Sequence, residues 1–124
     1  MKKKIMVVDD DPAVLKTITK LLERLNFPVV SADSGSACIE LCEAGFTGLV
    51  LMDVMMPGMD GWETIQELVD RNLIDNTLIC MLTGEETPSP KMDRLKEYVV
   101  DYITKPFDVR QLTSIIKDST EYLS

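Results

Sequence analysis

Residues 48–61 read GLVLMDVMMPGMDG, an apolar run that ends on the carboxylate of Asp53 and is followed by Pro57 and Gly58. Apolar runs of this length, bounded by turn residues, are typical of a strand buried on both faces of a parallel sheet. Such sheets place their chemistry in the crevice at the carboxyl ends of the strands. A lone carboxylate at this position therefore predicts a functional site.

Four more strand-like runs flank this one, and helix-like segments separate them. The predicted strands are Lys4 to Val8, Pro28 to Ala32, Gly48 to Asp53, Thr77 to Thr83 and Val99 to Thr104. The predicted helices are one with Asp11 as N-cap and Pro12 at its first position, Ser34 to Ala44, one opened by Asp60 or Gly61, Lys91 to Tyr98, and Val109 to Leu123. This alternation predicts an α/β fold, a doubly wound five-stranded parallel sheet with five helices. Right-handed crossovers give it the flavodoxin-like strand order 2-1-3-4-5.

Apolar residues at helical spacing mark the face that each predicted helix buries. They are Val14, Ile18, Leu21, Leu22 and Leu25; Ala37, Cys38, Leu41 and Cys42; Trp62, Ile65, Leu68 and Val69; Met92, Leu95 and Tyr98; and Leu112, Ile115 and Ile116. Pro88 and Pro90 delay and shorten the fourth helix. Cys38 and Cys42 could form half of a metal site, but without any histidine or second cysteine pair they are better interpreted as small buried apolar residues.

Length and charge limit the possible functions. The 124 residues predict a single domain, 1–124, without room for a second catalytic or DNA-binding domain. The formal net charge of −8 disfavours direct binding to nucleic acid or to an anionic membrane. No apolar stretch approaches the roughly 20 residues that span a bilayer, and no signal-peptide cleavage site is evident. We therefore expect a cytoplasmic protein.

Polar side chains stand at the ends of four predicted strands. Asp9 and Asp10 follow the first strand, Asp53 ends the third, Thr83 ends the fourth and Lys105 follows the fifth. Because the carboxyl ends of parallel strands meet at one edge of the sheet, we expect these five side chains to converge.

Such a cluster suits a phosphoryl group. Neighbouring carboxylates repel one another, by about 1 kcal/mol per pair in water-like surroundings, and a hard cation such as Mg²⁺ relieves that repulsion. Lys105 adds a positive charge, Thr83 a hydroxyl donor, and Gly84 lets a phosphate approach the backbone closely. A solvated turn at Asp9 to Asp11 would leave Asp53 unexplained. The pattern favours a phosphoryl group beside a carboxylate that can itself act as nucleophile.

Together, the motifs resemble the receiver domains of bacterial two-component response regulators. They are Val8-Asp9-Asp10, Asp53 with Met56-Pro57 and Asp60-Gly61, Thr83-Gly84, and Tyr102 ahead of Lys105-Pro106-Phe107. The resemblance covers essentially the whole chain. It implies a signalling switch that catalyses only its own phosphorylation and dephosphorylation.

The resemblance implies roles for the charged residues. Asp53 would be the phosphoacceptor, and Lys105 would pair with the phosphoryl oxygens. Asp10 and Asp53 would bind Mg²⁺ directly, with the backbone carbonyl of Met55 as a third ligand. Asp9 would act on the metal mainly through water.

Four further residues would respond to the phosphoryl group. The backbones of Val54 and Gly84 would contact it, the Thr83 hydroxyl would move onto it, and Tyr102 would turn inward behind it. Taken alone, Thr83 is equally well explained as a locally bonded hydroxyl, and Tyr102 can be explained as a half-buried strand aromatic.

The resemblance also implies partners. The phosphoryl donor would be a sensor histidine kinase or a histidine phosphotransfer protein, acting in trans because the chain has no histidine. A downstream protein target would contact the predicted fourth helix, fifth strand and fifth helix. The protein would be a monomer or a weak phosphorylation-dependent dimer.

Two departures from the family pattern concern the loops at the site. Gly84 stands where the family more often has alanine or serine, which should make that loop more mobile. Met55 and Glu85 lie two residues after Asp53 and Thr83 and border the path of the hydrolytic water. We hypothesise that the bulky Met55 obstructs in-line attack and makes the acyl phosphate comparatively long-lived.

Rival functions stay open at this point. An Mg²⁺-dependent phosphatase or phosphotransferase would also use Asp53 as nucleophile, but Met55 stands where such hydrolases place a general acid-base. A flavodoxin-like nucleotide-binding module would need glycines after the first strand, where this chain has Asp9 to Asp11. A degenerate receiver that serves only as a scaffold would not need the full set of site residues.

Overall fold

Five parallel strands form one sheet in the order β2-β1-β3-β4-β5, which confirms the predicted fold class. The computed structural model describes residues 4–84 and 94–121. The strands are β1, Ile5–Val8; β2, Val29–Ala32; β3, Gly48–Asp53; β4, Thr77–Thr83; and β5, Val99–Thr104. The last three agree with the prediction, and the first two begin one residue later than predicted.

Among the described residues, the α-helices are α1, Pro12–Arg24; α2, Gly35–Glu43; α3, Gly61–Asp70; and α4, Val109–Glu121. Side-chain caps explain where the first three begin. Asp11 and Ser34 each accept a hydrogen bond from a backbone N–H in the first turn, at 2.9 and 3.1 Å. Asp60 and Glu63 form a reciprocal capping box at α3. Within residues 4–84 and 94–121, no helix has the length and apolar character needed to cross a bilayer.

The helix predicted over Lys91 to Tyr98 lies partly outside the described residues. Of that segment, residues 94 and 95 are helical and Lys96–Tyr98 form a 3-10 turn. Leu95 is buried as predicted, whereas Met92 lies outside the described residues. Glu85, Pro88, Pro90 and Leu123 also lie outside the described residues.

β3 is the central strand, and its side chains alternate between two cores. Leu49 and Leu51 pack on the face covered by α1 and α4, whereas Val50 and Met52 pack on the face covered by α2 and α3. All four side chains are fully buried. The middle of the strand therefore accepts only apolar residues, and Asp53 is tolerated because it stands at the end.

α2 buries a wider face than its spacing predicts. Ile39 is buried beside Cys38 and Cys42, whereas Ala37 and Leu41 are only partly buried. This happens because α2 packs against both the sheet and α3. The neighbouring Cys42 thiol and burial raise the pKa of the Cys38 thiol. Their burial agrees with the interpretation as apolar core residues.

Replacing Leu51 with alanine should lower the free energy of unfolding by about 3 to 4 kcal/mol, because the substitution leaves a cavity in the central strand. Urea denaturation followed by circular dichroism measures the loss. Val30→Ala on the edge strand β2, where the residue is 39% exposed, is the control and should cost less than about 1 kcal/mol. Equal losses in the two variants would contradict this view of the core.

Candidate functional site

The carboxyl edge of the sheet brings three acidic side chains together. β1 and β3 are neighbours, with Val8 paired to Met52, so Asp9 and Asp53 are adjacent. Carboxylate oxygens of Asp9, Asp10 and Asp53 lie within 4.8 Å of one another. Asp9 and Asp53 are only 1% and 5% exposed, whereas Asp10 is exposed. The predicted convergence of the three carboxylates is therefore confirmed.

Lys105 enters this cluster from the loop after β5. Its Nζ donates hydrogen bonds to Asp9 Oδ2 at 2.8 Å and to Asp53 Oδ1 at 3.0 Å. Its backbone N–H donates to the carbonyl of Thr83, at the end of β4, at 2.6 Å. One residue thus links the ends of β1, β3 and β4.

The carboxylate of Asp9 accepts a hydrogen bond on each oxygen. Oδ1 accepts from the N–H of Asp11 at 2.9 Å, and Oδ2 accepts from Lys105. The sequence predicts Asp11 only as the N-cap of α1, but it also lines the cavity at the site. The run of three aspartates in the sequence was the available sign that Asp11 lies at the site. The turn after β1 decides that the N–H of Asp11 faces the carboxylate of Asp9.

Burial raises the pKa of Asp53 to about 6, and the charges of Asp9 and Asp10 act in the same direction. The hydrogen bond and positive charge of Lys105 oppose that rise. The pKa of Lys105 is also raised: burial lowers it, but its bonds to Asp9 and Asp53 outweigh burial. Lys105 is therefore charged at neutral pH and counters the acidic cluster.

An open cavity of about 500 Å³ lies over the cluster. Its walls are formed by Asp9, Asp10, Asp11, Asp53, Met55, Gly84 and Lys105. Carboxylate oxygens around an open cavity suit a hard cation such as Mg²⁺, which retains several waters. The donor set therefore fits this metal, with room for a small anionic group beside Asp53.

Two predicted site residues lie outside this cavity wall. Thr83 ends β4 and precedes Gly84, which does line the cavity. Tyr102 lies within β5, paired with Met81, and packs against the core on the α2 and α3 face. Its partial burial raises its pKa. The structure therefore places both residues beside the site rather than in it.

The backbone of Val54 is already hydrogen-bonded, which corrects its predicted role. Its N–H donates to the carbonyl of Leu82 at 3.1 Å, and its own carbonyl accepts from the N–H of Gly61 at 2.8 Å. Val54 therefore has no backbone donor left for a group in the cavity. The sequence does not reveal these two bonds, because one partner, Leu82, belongs to β4 and the other, Gly61, begins α3 after a loop.

Comparisons with known proteins agree on one family. A family model for the response regulator receiver domain matches residues 5–117. The chain is 33% identical over 117 residues to the alkaline phosphatase synthesis transcriptional regulatory protein PhoP of Bacillus subtilis, which covers 94% of this chain and 48% of PhoP. It is 33% identical to the sensor protein GacS of Pseudomonas syringae, over 91% of this chain and 13% of GacS. The chain thus spans less than half the length of these two relatives.

A solved structure gives the same result at the level of the fold. The response regulator receiver domain protein (CheY-like) from Methanospirillum hungatei superposes on this chain with a TM-score of 0.92. The two chains are 46% identical, and the match covers 97% of this chain and 95% of the other.

Replacing Asp53 with asparagine should change how stability depends on pH in the absence of metal. The folded-state pKa of Asp53 is raised, so its stabilising contribution is complete below its ordinary value of 3.8 and is lost as the pH rises through about 6. The free energy of unfolding of Asp53→Asn, measured relative to that of the native chain, should therefore rise by about 3 kcal/mol from acid to neutral pH.

Urea denaturation in EDTA at a series of pH values measures this difference. Asp33→Asn, which removes the charge of an exposed aspartate, is the control measured alongside. A stability difference between Asp53→Asn and the native chain that stays constant with pH would contradict the raised pKa.

Proposed function

Because the chain belongs to the family of response regulator receiver domains, we propose that it is a phosphorylation-activated switch in a two-component phosphorelay. One observation carries the proposal: Lys105 bonds to the buried Asp53, with Asp9 and Asp10 alongside. This arrangement combines a nucleophile, a cation that can pair with a phosphoryl group, and hard oxygen ligands for a metal. Residues 1–124 would act as one receiver unit.

Asp53 is the proposed phosphoacceptor. One of its carboxylate oxygens attacks the phosphorus of a phosphohistidine, so that a P–O bond forms as the P–N bond breaks. The leaving imidazole nitrogen keeps the bonding electron pair and takes up a proton. Lys105, 3.0 Å from Asp53 Oδ1, is placed to pair with the oxygens of the arriving group.

Asp10, Asp53 and the backbone carbonyl of Met55 are the groups we propose to hold Mg²⁺. When bound, the metal would neutralise charge on the carboxylates and on the phosphoryl oxygens. Asp9 is proposed to act through water, which agrees with the hydrogen bond that each of its oxygens already accepts.

Thr83, Gly84 and Tyr102 are proposed to convert phosphorylation into a change of surface. The Thr83 hydroxyl moves onto the phosphoryl group, Gly84 contacts it through the backbone, and Tyr102 turns inward. The bond from the Lys105 N–H to the Thr83 carbonyl supports such coupling, since it joins β4 to the loop that follows β5. The phosphoryl group favours the arrangement to which it bonds better.

The proposed partners follow from the same chemistry. A sensor histidine kinase or histidine phosphotransfer protein is the proposed donor of the phosphoryl group, because residues 1–124 contain no histidine that could supply it. A downstream protein reads the surface formed by the segment before β5, β5 itself and α4. We place the protein in the cytoplasm as a monomer or a weak phosphorylation-dependent dimer.

Phosphotransfer from radiolabelled histidine kinases of the host, with Mg²⁺ present, should label the native chain, and Asp53→Asn should remove the label because the nucleophilic oxygen pair is lost. Asp33→Asn, which changes an exposed aspartate, should label normally. Retained label in the Asp53→Asn variant would overturn the assignment of the phosphoacceptor.

Met55 is proposed to slow hydrolysis of the acyl phosphate. It is 62% exposed and lines the cavity beside Asp53. The proposed path of the attacking water runs past this side chain. Met55→Asn should release phosphate several-fold faster, because a smaller polar side chain admits and orients that water. Met55→Leu keeps the apolar bulk and should release it at nearly the native rate. The decay of labelled protein measures both rates, and an unchanged rate in Met55→Asn would count against the role of Met55.

A further inference from the structure

Gly61 begins α3 directly against the end of β3, behind the candidate site. Its N–H donates a hydrogen bond of 2.8 Å to the carbonyl of Val54. The capping box of Asp60 and Glu63 holds the same end of the helix, with bonds of 2.8 and 3.1 Å. The segment from Val54 to Gly61 is therefore a loop closed at its base, and Met55 directly follows the closing contact.

This contact leaves no room for a side chain at Gly61. A Cβ there would lie 2.6 Å from the backbone oxygen of Asp53, 3.1 Å from the Cα of Val54 and 2.9 Å from the Cε of Met81. The end of the methionine side chain can move, but the other two atoms belong to the main chain at the site. A larger residue must therefore displace Asp53 and Val54, or push α3 away from them.

Val54 would pass such a displacement on to its neighbours. It is 6% exposed, and its N–H is bonded to Leu82 of β4 while its carbonyl is bonded to Gly61. Because the N–H and the carbonyl of Val54 are both hydrogen-bonded, the backbone orientations of its two neighbours, Asp53 and Met55, are fixed together.

We propose that Gly61 is a positioning residue for the metal and phosphoacceptor site. Its missing side chain lets α3 hold the Asp53 carboxylate and the Met55 carbonyl where they bind Mg²⁺ together with Asp10. This inference rests on the proposed function. Gly61 acts through Asp53 and Val54 and touches neither the metal nor the phosphoryl group.

Gly35 provides a matched control for a glycine that is needed only for packing. It is also the first residue of a helix, α2, and a Cβ there would collide with the Thr64 hydroxyl and lie 3.3 Å from Met59 Sδ. Thr64 lies in α3 and Met59 in the loop between Val54 and Gly61, but the atoms near this Cβ belong to their side chains and not to the main chain of Asp53. The same substitution therefore crowds side chains of α3 and of that loop, whereas the contact of residue 61 with the main chain of Asp53 and Val54 is unchanged.

The experiment compares Gly61→Ala, Gly35→Ala and the native chain in thermal unfolding at increasing MgCl₂, with ionic strength held constant by NaCl. Binding of Mg²⁺ to the folded state raises the melting temperature by an amount that reports its dissociation constant, separately from the stability without metal. Both variants should melt at a lower temperature than the native chain without metal. Only Gly61→Ala should lose affinity for Mg²⁺, by about tenfold, as expected when a support of metal ligands is disturbed.

Equal affinities for Mg²⁺ in the two variants would overturn the positioning role of Gly61 and leave the proposed function intact. The proposed function, and this inference with it, would instead be overturned by either of two results. In the first, Mg²⁺ does not raise the melting temperature of the native chain; in the second, it raises that of Asp53→Asn by the same amount. If Gly61→Ala does not fold, amide NMR on the native chain decides. Titration with Mg²⁺ should then shift the Gly61 N–H resonance along with that of Met55 while that of Gly35 stays in place, and an unmoved Gly61 resonance refutes the inference.

Discussion

The ammonium of Lys105 holds together a group of charges that would otherwise oppose folding. Asp9 and Asp53 are almost completely buried and lie beside Asp10, so their mutual repulsion and lost hydration would be costly without a counter-charge. Lys105 meets both with hydrogen bonds of 2.8 and 3.0 Å. The acidic site is stable because Lys105, which follows the last strand, β5, places its positive charge between the two buried carboxylates.

The sheet explains why these charges occur at one edge. β3 is buried on both faces by helices, so the strand interior excludes polar side chains, and its end is where a carboxylate can line the open cavity. The same burial raises the pKa of Asp53. In the proposed mechanism, the partly desolvated carboxylate of Asp53 is the nucleophile and faces an open cavity, and the loop from Val54 to Gly61 sets its direction.

Local signals predicted most of the fold. Asp11 caps α1 as predicted, and Ser34 and Asp60 cap helices that begin within one residue of the predicted starts, because a cap is formed within one turn of the chain. The predicted buried face of α2 was wrong in leaving out Ile39. Because α2 packs against both the sheet and α3, it buries more than one stripe of side chains. The predicted backbone role of Val54 failed because a strand partner had already taken its N–H.

The sequence by itself determined the strand ends, the helix starts and the residue types available at the site, because these depend on neighbours a few positions apart. Tertiary structure alone decided which of those residues meet. Lys105 and Asp9 are 96 positions apart, and their contact exists only after the sheet has placed β5 and β1 on the same edge. The need for glycine at position 61 is also set by tertiary structure, since the atoms that exclude a side chain there belong to β3 and its flanking loop and to β4, and come together only when α3 docks.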